Sequence, residues 1–409
     1  MHDAMRREAL RIFDAGLSAA DPGRAVRASL ESAPLPDVPG RTFVVAVGKA
    51  ARGMARALCE RVAPDEVLVV TNYENARPLE GARVLAAGHP VPDENGLKAG
   101  EEVIALLGRA QAGDRVIALI SGGGSALLPA PVEGVSLADK AETGRLLLGA
   151  GLDITAMNLV RQQLSRLKGG GFLRLAAPAR VAALILSDVV GDDLRVIASG
   201  PTVAPIGSRA EAVALLKEAE VWEKLPGAVR RHLSAPAPSA GPLPEAENRL
   251  VGSNALSVAA MKAAAPEAAV HPEPLVGDVA EAAAVIAGKG PGVHLFGGET
   301  TVRLQGHGMG GRNQELALRV ALEAEARGWR GAWVFLSGGT DGRDGPTDAA
   351  GGLVDDGTLA AIRSTGADPM ALLADNDSYH ALKAGNALLI TGPTGTNVAD
   401  LQVLIRAGC

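Results

Sequence analysis

The stretch TFVVAVGKAARGMARAL, Thr42–Leu58, opens with six apolar or β-branched residues, turns at Gly48, and continues as an Ala/Leu-rich helical pattern. A short run without polar alternation suits a strand covered on both faces, and a helix entered directly from it reads as a βα unit. The pattern recurs outward from here. Strands are expected at Thr42–Gly48, Glu66–Val70, Val116–Ser121 and Val181–Asp188 in the first half. In the second half they are expected at Gly292–Glu299, Thr300–Leu304, Ala332–Gly339 and Ala387–Gly392, with helices after Arg312 and Gly357. The fold class is therefore α/β, with a doubly wound parallel sheet whose site lies at the carboxyl ends of its strands.

A chain of 409 residues is too long for one ordinary core, so two domains with a cleft between them are expected. The segment SAPAPSAGPLPEAEN, Ser234–Asn248, concentrates Pro, Ala and Ser and reads as the linker, dividing the chain into 1–240 and 250–409. Aromatics are only 2% against 47% hydrophobic residues, so the core should be aliphatic, and bases would find few rings to stack on. A net charge of −6 with interspersed signs gives no basic stripe, which argues against a nucleic-acid partner. Two cysteines, Cys59 and Cys409, make no disulfide framework or zinc spacing and fit a reducing cytoplasm. The N-terminus reads as an amphipathic surface helix, and no stretch approaches the roughly 20 apolar residues of a membrane span.

Five polar, Gly-rich segments fall at the expected strand ends. In the first, Lys49 follows Gly48 at the start of a helix, where like charges meet unless an anion lies between them, so Lys49 reads as a phosphate or carboxylate ligand. In the second, LISGGGSALLPAP, the glycines Gly122, Gly123 and Gly124 before Ser125 let backbone N–H groups approach an anion. The spacing is not that of a Walker A loop. The third, LILSDVVGDDLRVIASGPT, places Asp188 at a strand end with Asp192 and Asp193 behind it, suited to magnesium or to a substrate hydroxyl. The fourth runs from Glu299 and Thr300 through a glycine turn to Arg312 and Asn313, which should face an anion. Gly306, Gly308 and Gly311 formally satisfy G-x-G-x-x-G, but a dinucleotide fingerprint also needs an acid about 20 residues on, and Asp341 comes later. In the fifth, Asp341, Asp344 and Asp348 crowd one loop, a density that calls for a cation or a bound polyol, and Asn376, Asp377, Thr394 and Thr396 add polar groups nearby.

Read in order, VGKAARGM, GHPVPDENG, SGGGSALLPAP, NLVRQQLSRLKGGG, SDVVGDDLRVIASGPTV, GGETTV, GGRNQELAL, SGGTDGRDGPTDAAG, NDSYHAL and TGPTGTNVADL resemble the glycerate 2-kinase family, whose members also carry the name hydroxypyruvate reductase. The match runs through nearly the whole chain. Small departures are Ala204-Pro205 where a Pro-Asp step is expected and Asn386 in place of an Asp. The resemblance implies an N-terminal Rossmann-like kinase domain, a C-terminal α/β module of the kind called MOFRL, and an active site between them. It further implies ATP and Mg2+ or another divalent cation, with D-glycerate as acceptor and 2-phosphoglycerate as expected product. Lys49, Arg312 and Asp188 match the family's functional Lys, Arg and strand-end acid. Gly122, Gly123, Gly124, Ser125, Glu299, Thr300, Asn313 and Asp341 are expected on the cofactor, with Asp188 and Asp341 on the metal. A monomer or small homo-oligomer is expected. The rival readings are an NAD(P)H-dependent hydroxypyruvate reductase, resting on the formal glycine spacing and that second name, and a non-catalytic binder of small anionic sugars.

Overall fold

The computed structural model describes residues 2–236 and 241–408. The chain forms two compact units, one of Pro22–Val251 and one of the residues up to Asp21 together with those from Gly252 onward.

The first unit is built on strands β1 (Thr42–Val47), β2 (Glu66–Asn72), β3 (Arg83–Ala87), β4 (Arg115–Ile120), β5 (Arg180–Leu186) and β6 (Ala246–Gly252), in the order β3-β2-β1-β4-β5-β6. The pairs from β3 through to β5 are parallel. Every residue of β1 and β4 is buried, as expected for parallel strands with helices on both faces. Phe43, Val45, Leu68, Val70, Val116 and Ile120 pack with Val103, Leu106 and Phe172 of the covering helices. The sequence order runs one way from β1 to β3 and the other way from β4 to β6. The switch point between β1 and β4, where ligands collect in such sheets, thus lies beyond Val47 and Ile120, which are register partners. A separate helical layer, Leu137–Gly149, Ile154–Gln163, Arg209–Glu218 and Gly227–Ser234, closes on Leu147, Met157, Val160, Leu216 and Leu233.

The second unit holds a mixed sheet of β7 (Ala269–Val270), β8 (Leu275–Asp278), β9 (Gly292–Thr301), β10 (Trp333–Gly339), β11 (Gly351–Asp355), β12 (Leu388–Leu389) and β13 (Asp400–Arg406). Its order is β12-β11-β10-β13-β9-β7, with β8 also on β9. Along β10, Trp333 and Phe335 join the core under helix Arg312–Ala326, while Val334 and Leu336 join the core under helices His2–Ala19 and Asn254–Ala264. That is strand alternation placing two helical layers on opposite faces.

The fold departs from the sequence reading in several places. The two strands expected at Gly292–Glu299 and Thr300–Leu304 are one strand, Gly292–Thr301, and Ala387–Gly392 yields only Leu388–Leu389. Of the segment read as linker, 237–240 lie outside the described residues, as does Cys409, and Ala246–Asn248 already belong to β6 beside β5. The N-terminal helix, grouped by the sequence division with residues 1–240, buries Ala9, Ile12, Phe13 and Gly16 in the second unit. An apolar stripe announces a buried face without naming the sheet it covers.

Candidate active site

The carboxyl edge of the first sheet is assembled by glycines. Gly48 has φ +121°, and a Cβ there would lie 2.1 Å from Ser121 Oγ, so only glycine lets β1 turn against the end of β4. The Lys49 N–H donates to the Gly122 carbonyl at 2.9 Å and that of Ala50 to Ser121 Oγ at 3.1 Å, tying the two strand ends together. Lys49 stands just ahead of the helix rather than in it, because Ala50 is the cap and the helix runs Ala51–Cys59. Its ammonium is half-exposed and makes no hydrogen bond or ion pair among the described residues, although its charge acts on Asp188.

In the loop Ser121–Ser125 the Ser121 N–H is spent on the Val47 carbonyl, whereas the N–H groups of Gly122 and Gly123 have no partner among the described residues. A Cβ on Gly122 would lie 2.2 Å from Asp188 Oδ2, and one on Gly123 would lie 2.9 Å from His89 Cδ2. The loop is therefore flanked by Lys49, Asp188 and His89. Burial pushes the Asp188 carboxyl up, against the pull of its own N–H and of the Lys49 charge. His89 is pushed down by burial and then by Lys49. His89 was missed from sequence, although its segment GHPVPDENG was among those carrying the resemblance.

Ser125 faces a polar chain: its Oγ accepts from Lys168 Nζ at 2.7 Å and lies 3.0 Å from Ser199 Oγ, which donates to Asn158 Oδ1 at 2.9 Å. Ala198 and Ser199 hold positive φ of 49° and 61°, a costly backbone for side chains with a Cβ, next to this chain. Asp193, grouped by sequence with Asp188, is instead paired with Arg195.

In the second unit Arg312 opens helix Arg312–Ala326, and its guanidinium forks onto buried Asp400 at 2.6 and 3.0 Å and reaches Glu299 at 2.8 Å. Burial works against its charge, but Asp400 and Glu299 hold its pKa above the ordinary arginine value. Asp400, in the segment NVADL, was not singled out from sequence. Thr300, Arg312, Asp341, Asp344 and Asn376 line an open pocket of about 660 Å³.

The crowded acids of the fifth motif have separate tasks. Asp344 accepts the first-turn N–H groups of Asn313 and Gln314 at 3.1 and 2.8 Å, and burial raises its carboxyl to about 6 despite them. Asp348 accepts the Tyr379 hydroxyl at 2.8 Å, and Asp341 accepts the Arg343 N–H at 3.0 Å. Asn313 is buried, with its side chain held by Ser337 at 2.6 Å, so the helix end that the sequence reading offered to an anion is filled from within by Asp344.

The turn carrying Gly306 and Gly308 is filled in the same way. The N–H groups of Gln305 and Gly306 donate to Asn376 Oδ1 at 2.7 and 3.0 Å. His307 and Gly308 donate to Asp375, and Met309 donates to Asp377 Oδ1. A dinucleotide fingerprint works by offering such groups to a pyrophosphate. Here those of Gly306 and Gly308 are already engaged.

Among the described residues no group of three or more His, Cys, Asp or Glu side chains is arranged to hold a metal, and no helix is long and apolar enough to cross a membrane. Residues 8–234 match the family described as a domain of unknown function, DUF4147, and residues 292–400 match the MOFRL family. The chain is 40% identical to the D-glycerate 2-kinase of Thermotoga maritima, over 98% of each chain. It is 42% identical to a putative hydroxypyruvate reductase of Agrobacterium vitis, over 99% of this chain and 95% of that one. The crystal structure of the Thermotoga maritima glycerate kinase superposes with a TM-score of 0.91 at 39% identity, covering 99% of this chain and all of that one. With both family matches in chain order and these relatives aligned over almost its whole length, the chain belongs to the glycerate 2-kinase family.

Proposed function

We propose that this chain is a glycerate kinase, transferring the γ-phosphoryl group of ATP to D-glycerate to give 2-phosphoglycerate. The observation that carries the reading is the Ser121–Ser125 loop at the switch point, with two unengaged glycine N–H groups beside the unpaired ammonium of Lys49. Phosphoryl transfer asks a protein mainly for positioning and charge neutralisation. Gly122 and Gly123 hold phosphate oxygens through their N–H groups. Lys49 neutralises the charge that grows on the transferring group. Asp188, with its carboxyl raised by burial, is suited to take the proton of the attacking glycerate hydroxyl. In the second unit we assign Arg312, steadied by Asp400 and Glu299, to the glycerate carboxylate, with Thr300 and Asp341 lining its pocket.

The donor set fits a magnesium ion that arrives on the nucleotide rather than one caged by protein. Asp188 is a single part-buried carboxylate, and magnesium in nucleotide sites typically takes one or two carboxylates plus phosphate oxygens. Asp341 is the candidate in the second unit. When bound, the ion neutralises phosphate charge. The reductase reading loses support, because the N–H groups of Gly306 and Gly308, the first two glycines of its formal fingerprint, are already given to Asn376 and Asp375.

The test is to incubate the protein with ATP, magnesium and glycerate and to identify the phosphoglycerate by phosphorus NMR. ADP is expected only when all three are present. Oxidation of NADH or NADPH by hydroxypyruvate at a rate well above any kinase activity would overturn the reading.

A further inference from the structure

Two of the segments that carry the family resemblance, NLVRQQLSRLKGGG and the ASGPTV end of SDVVGDDLRVIASGPTV, are given no task by the kinase reading, yet both close on the far end of the glycine loop. Ala198, Ser199 and Gly200 are three successive left-handed residues, with φ of 49°, 61° and 65°. Side chains with a Cβ rarely adopt that backbone even singly, so Ala198 and Ser199 hold it at a cost that their surroundings must offset. The turn is held from the other segment. The Ser199 carbonyl accepts from the Gly169 N–H at 3.1 Å and from Gln162 Nε2 at 3.2 Å, and the Gly200 carbonyl accepts from the Gly170 N–H at 2.9 Å.

What the strained turn achieves is the placement of one hydroxyl. Ser199 is fully buried, and its Oγ lies 3.0 Å from Ser125 Oγ and donates to Asn158 Oδ1 at 2.9 Å. Lys168 Nζ donates to Ser125 Oγ at 2.7 Å and to the Ser125 carbonyl at 2.9 Å. The directions therefore run one way, from Lys168 through Ser125 and Ser199 to Asn158. Ser125 gives its hydroxyl proton to Ser199 and has none left for a ligand. Ala198 backs the loop so closely that a Cβ on Gly124 would lie 3.0 Å from the Ala198 methyl. The loop is thus tied at one end by the Ser121 N–H on the Val47 carbonyl and at the other by Ser125, with the unengaged N–H groups of Gly122 and Gly123 between them.

We infer that Ser199, Asn158 and Lys168 are positioning residues that act through Ser125, holding the glycine loop so that the Gly122 and Gly123 N–H groups meet phosphate oxygens while the Ser125 hydroxyl stays out of the contact. That these N–H groups take phosphate rests on the kinase reading; the hydrogen-bond chain that holds them does not. Preorganised donors bind an anion without first having to be ordered, whereas a loop released at Ser125 must be ordered by the ligand. A Ser125 hydroxyl that touched the phosphate itself would give the opposite behaviour, because breaking the hydrogen-bond chain would free it to bind.

The experiment titrates inorganic tripolyphosphate into the wild-type protein, Ser199→Ala, Ser199→Gly and Thr143→Ala, and records melting temperatures and the KM values for ATP and glycerate alongside. Thr143 is buried in helix Leu137–Gly149, where its hydroxyl donates to the Asp139 carbonyl of the same helix, so its variant controls for a general loss of stability. Both Ser199 variants remove the same hydroxyl, but glycine accepts a φ of 61° and alanine does not, so Ser199→Gly should melt higher than Ser199→Ala. Tripolyphosphate affinity should nevertheless fall by about tenfold in both, the KM for ATP should rise by a similar factor, and the KM for glycerate should stay within about threefold. Thr143→Ala should bind tripolyphosphate within about twofold of wild type. Affinity losses that follow the melting temperature rather than the hydroxyl would overturn the proposal, as would wild-type or tighter binding in the Ser199 variants. If neither Ser199 variant folds, Asn158→Ala decides. It removes the acceptor at the end of the hydrogen-bond chain and should weaken tripolyphosphate binding by about threefold or more, and unchanged affinity overturns the proposal. Ser199-dependent tripolyphosphate binding in a protein that transfers no phosphoryl group to glycerate would keep the positioning role and remove the kinase reading. A wild type that phosphorylates glycerate but binds no tripolyphosphate overturns the positioning role alone.

Discussion

In the first unit, the turn Ser121–Ser125 leaves the N–H groups of Gly122 and Gly123 without partners among the described residues. In the second, the turn Gln305–Met309 gives all of its N–H groups to Asp375, Asn376 or Asp377. As sequence the two are alike, each a glycine-rich passage between a strand and a helix. Glycine permits close approach to the backbone, and residues elsewhere in the chain decide what approaches. Around Gly122 and Gly123 the neighbours are Asp188 and His89, which touch the loop without using its N–H groups. Around Gly306 and Gly308 they are acceptors some 70 positions later that saturate it. The first turn is chemically open, and the second is a strap.

The largest effect expected from this contrast is at Lys49, the free cation beside the open turn. Lys49→Ala should lower kcat/KM by roughly 10²- to 10⁴-fold, about 3 to 5 kcal/mol of transition-state stabilisation. Its melting temperature should barely move, because the side chain is unpaired, so steady-state kinetics and a thermal melt must part company. Near-normal turnover would return Lys49 to a solvated surface role.

Next come the glycines, compared as a pair. In Gly122→Ala the new Cβ would lie 2.2 Å from Asp188 Oδ2, and displacing that carboxylate should cut kcat/KM by about 10²-fold. In Gly308→Ala the Cβ would lie 2.4 Å from that of Asp377, which should cost about 1 to 3 kcal/mol of stability and leave the KM for ATP unchanged. A rise in that KM as large in Gly308→Ala as in Gly122→Ala would erase the distinction. Asn376→Ala removes the acceptor for two N–H groups and a bond to Glu315, so urea unfolding should show a loss of about 1 to 3 kcal/mol.

The smallest effect is a slope with pH. Lys140 loses its proton near 7 in the folded chain and near 10.5 when unfolded, so the unfolded chain binds more protons between those values. Stability from this group therefore rises with pH across that window and is lowest below it. Urea midpoints of wild type measured against Lys140→Met should show that rise. A flat difference would mean that Lys140 titrates as an ordinary lysine.

The first sheet was legible because β1, β4 and β5 are unbroken apolar runs, and the residues at their carboxyl ends, Lys49, Gly122 and Asp188, follow from strand ends alone. The second sheet was less so. Strand β13, DLQVLIR, reads as mixed text, and β7 and β12 are two residues each, set by pairing with neighbours rather than by local pattern. The site was legible where it depends on local chain and opaque where it depends on distant partners. Arg312 could be picked out, but Asp400, its partner 88 positions away, could not. Asn313 looked like a ligand because nothing nearby in sequence shows that Asp344 fills the helix end.

Amide hydrogen exchange, followed peptide by peptide with and without a non-hydrolysable ATP analogue and magnesium, tests the contrast most directly. Without ligand, the amides of 305–309 should be protected and those of Gly122 and Gly123 should exchange quickly. Adding the analogue should slow Gly122 and Gly123 and leave 305–309 as they were. New protection at 305–309, with 122–123 unchanged, would contradict the assignment of the open turn to phosphate.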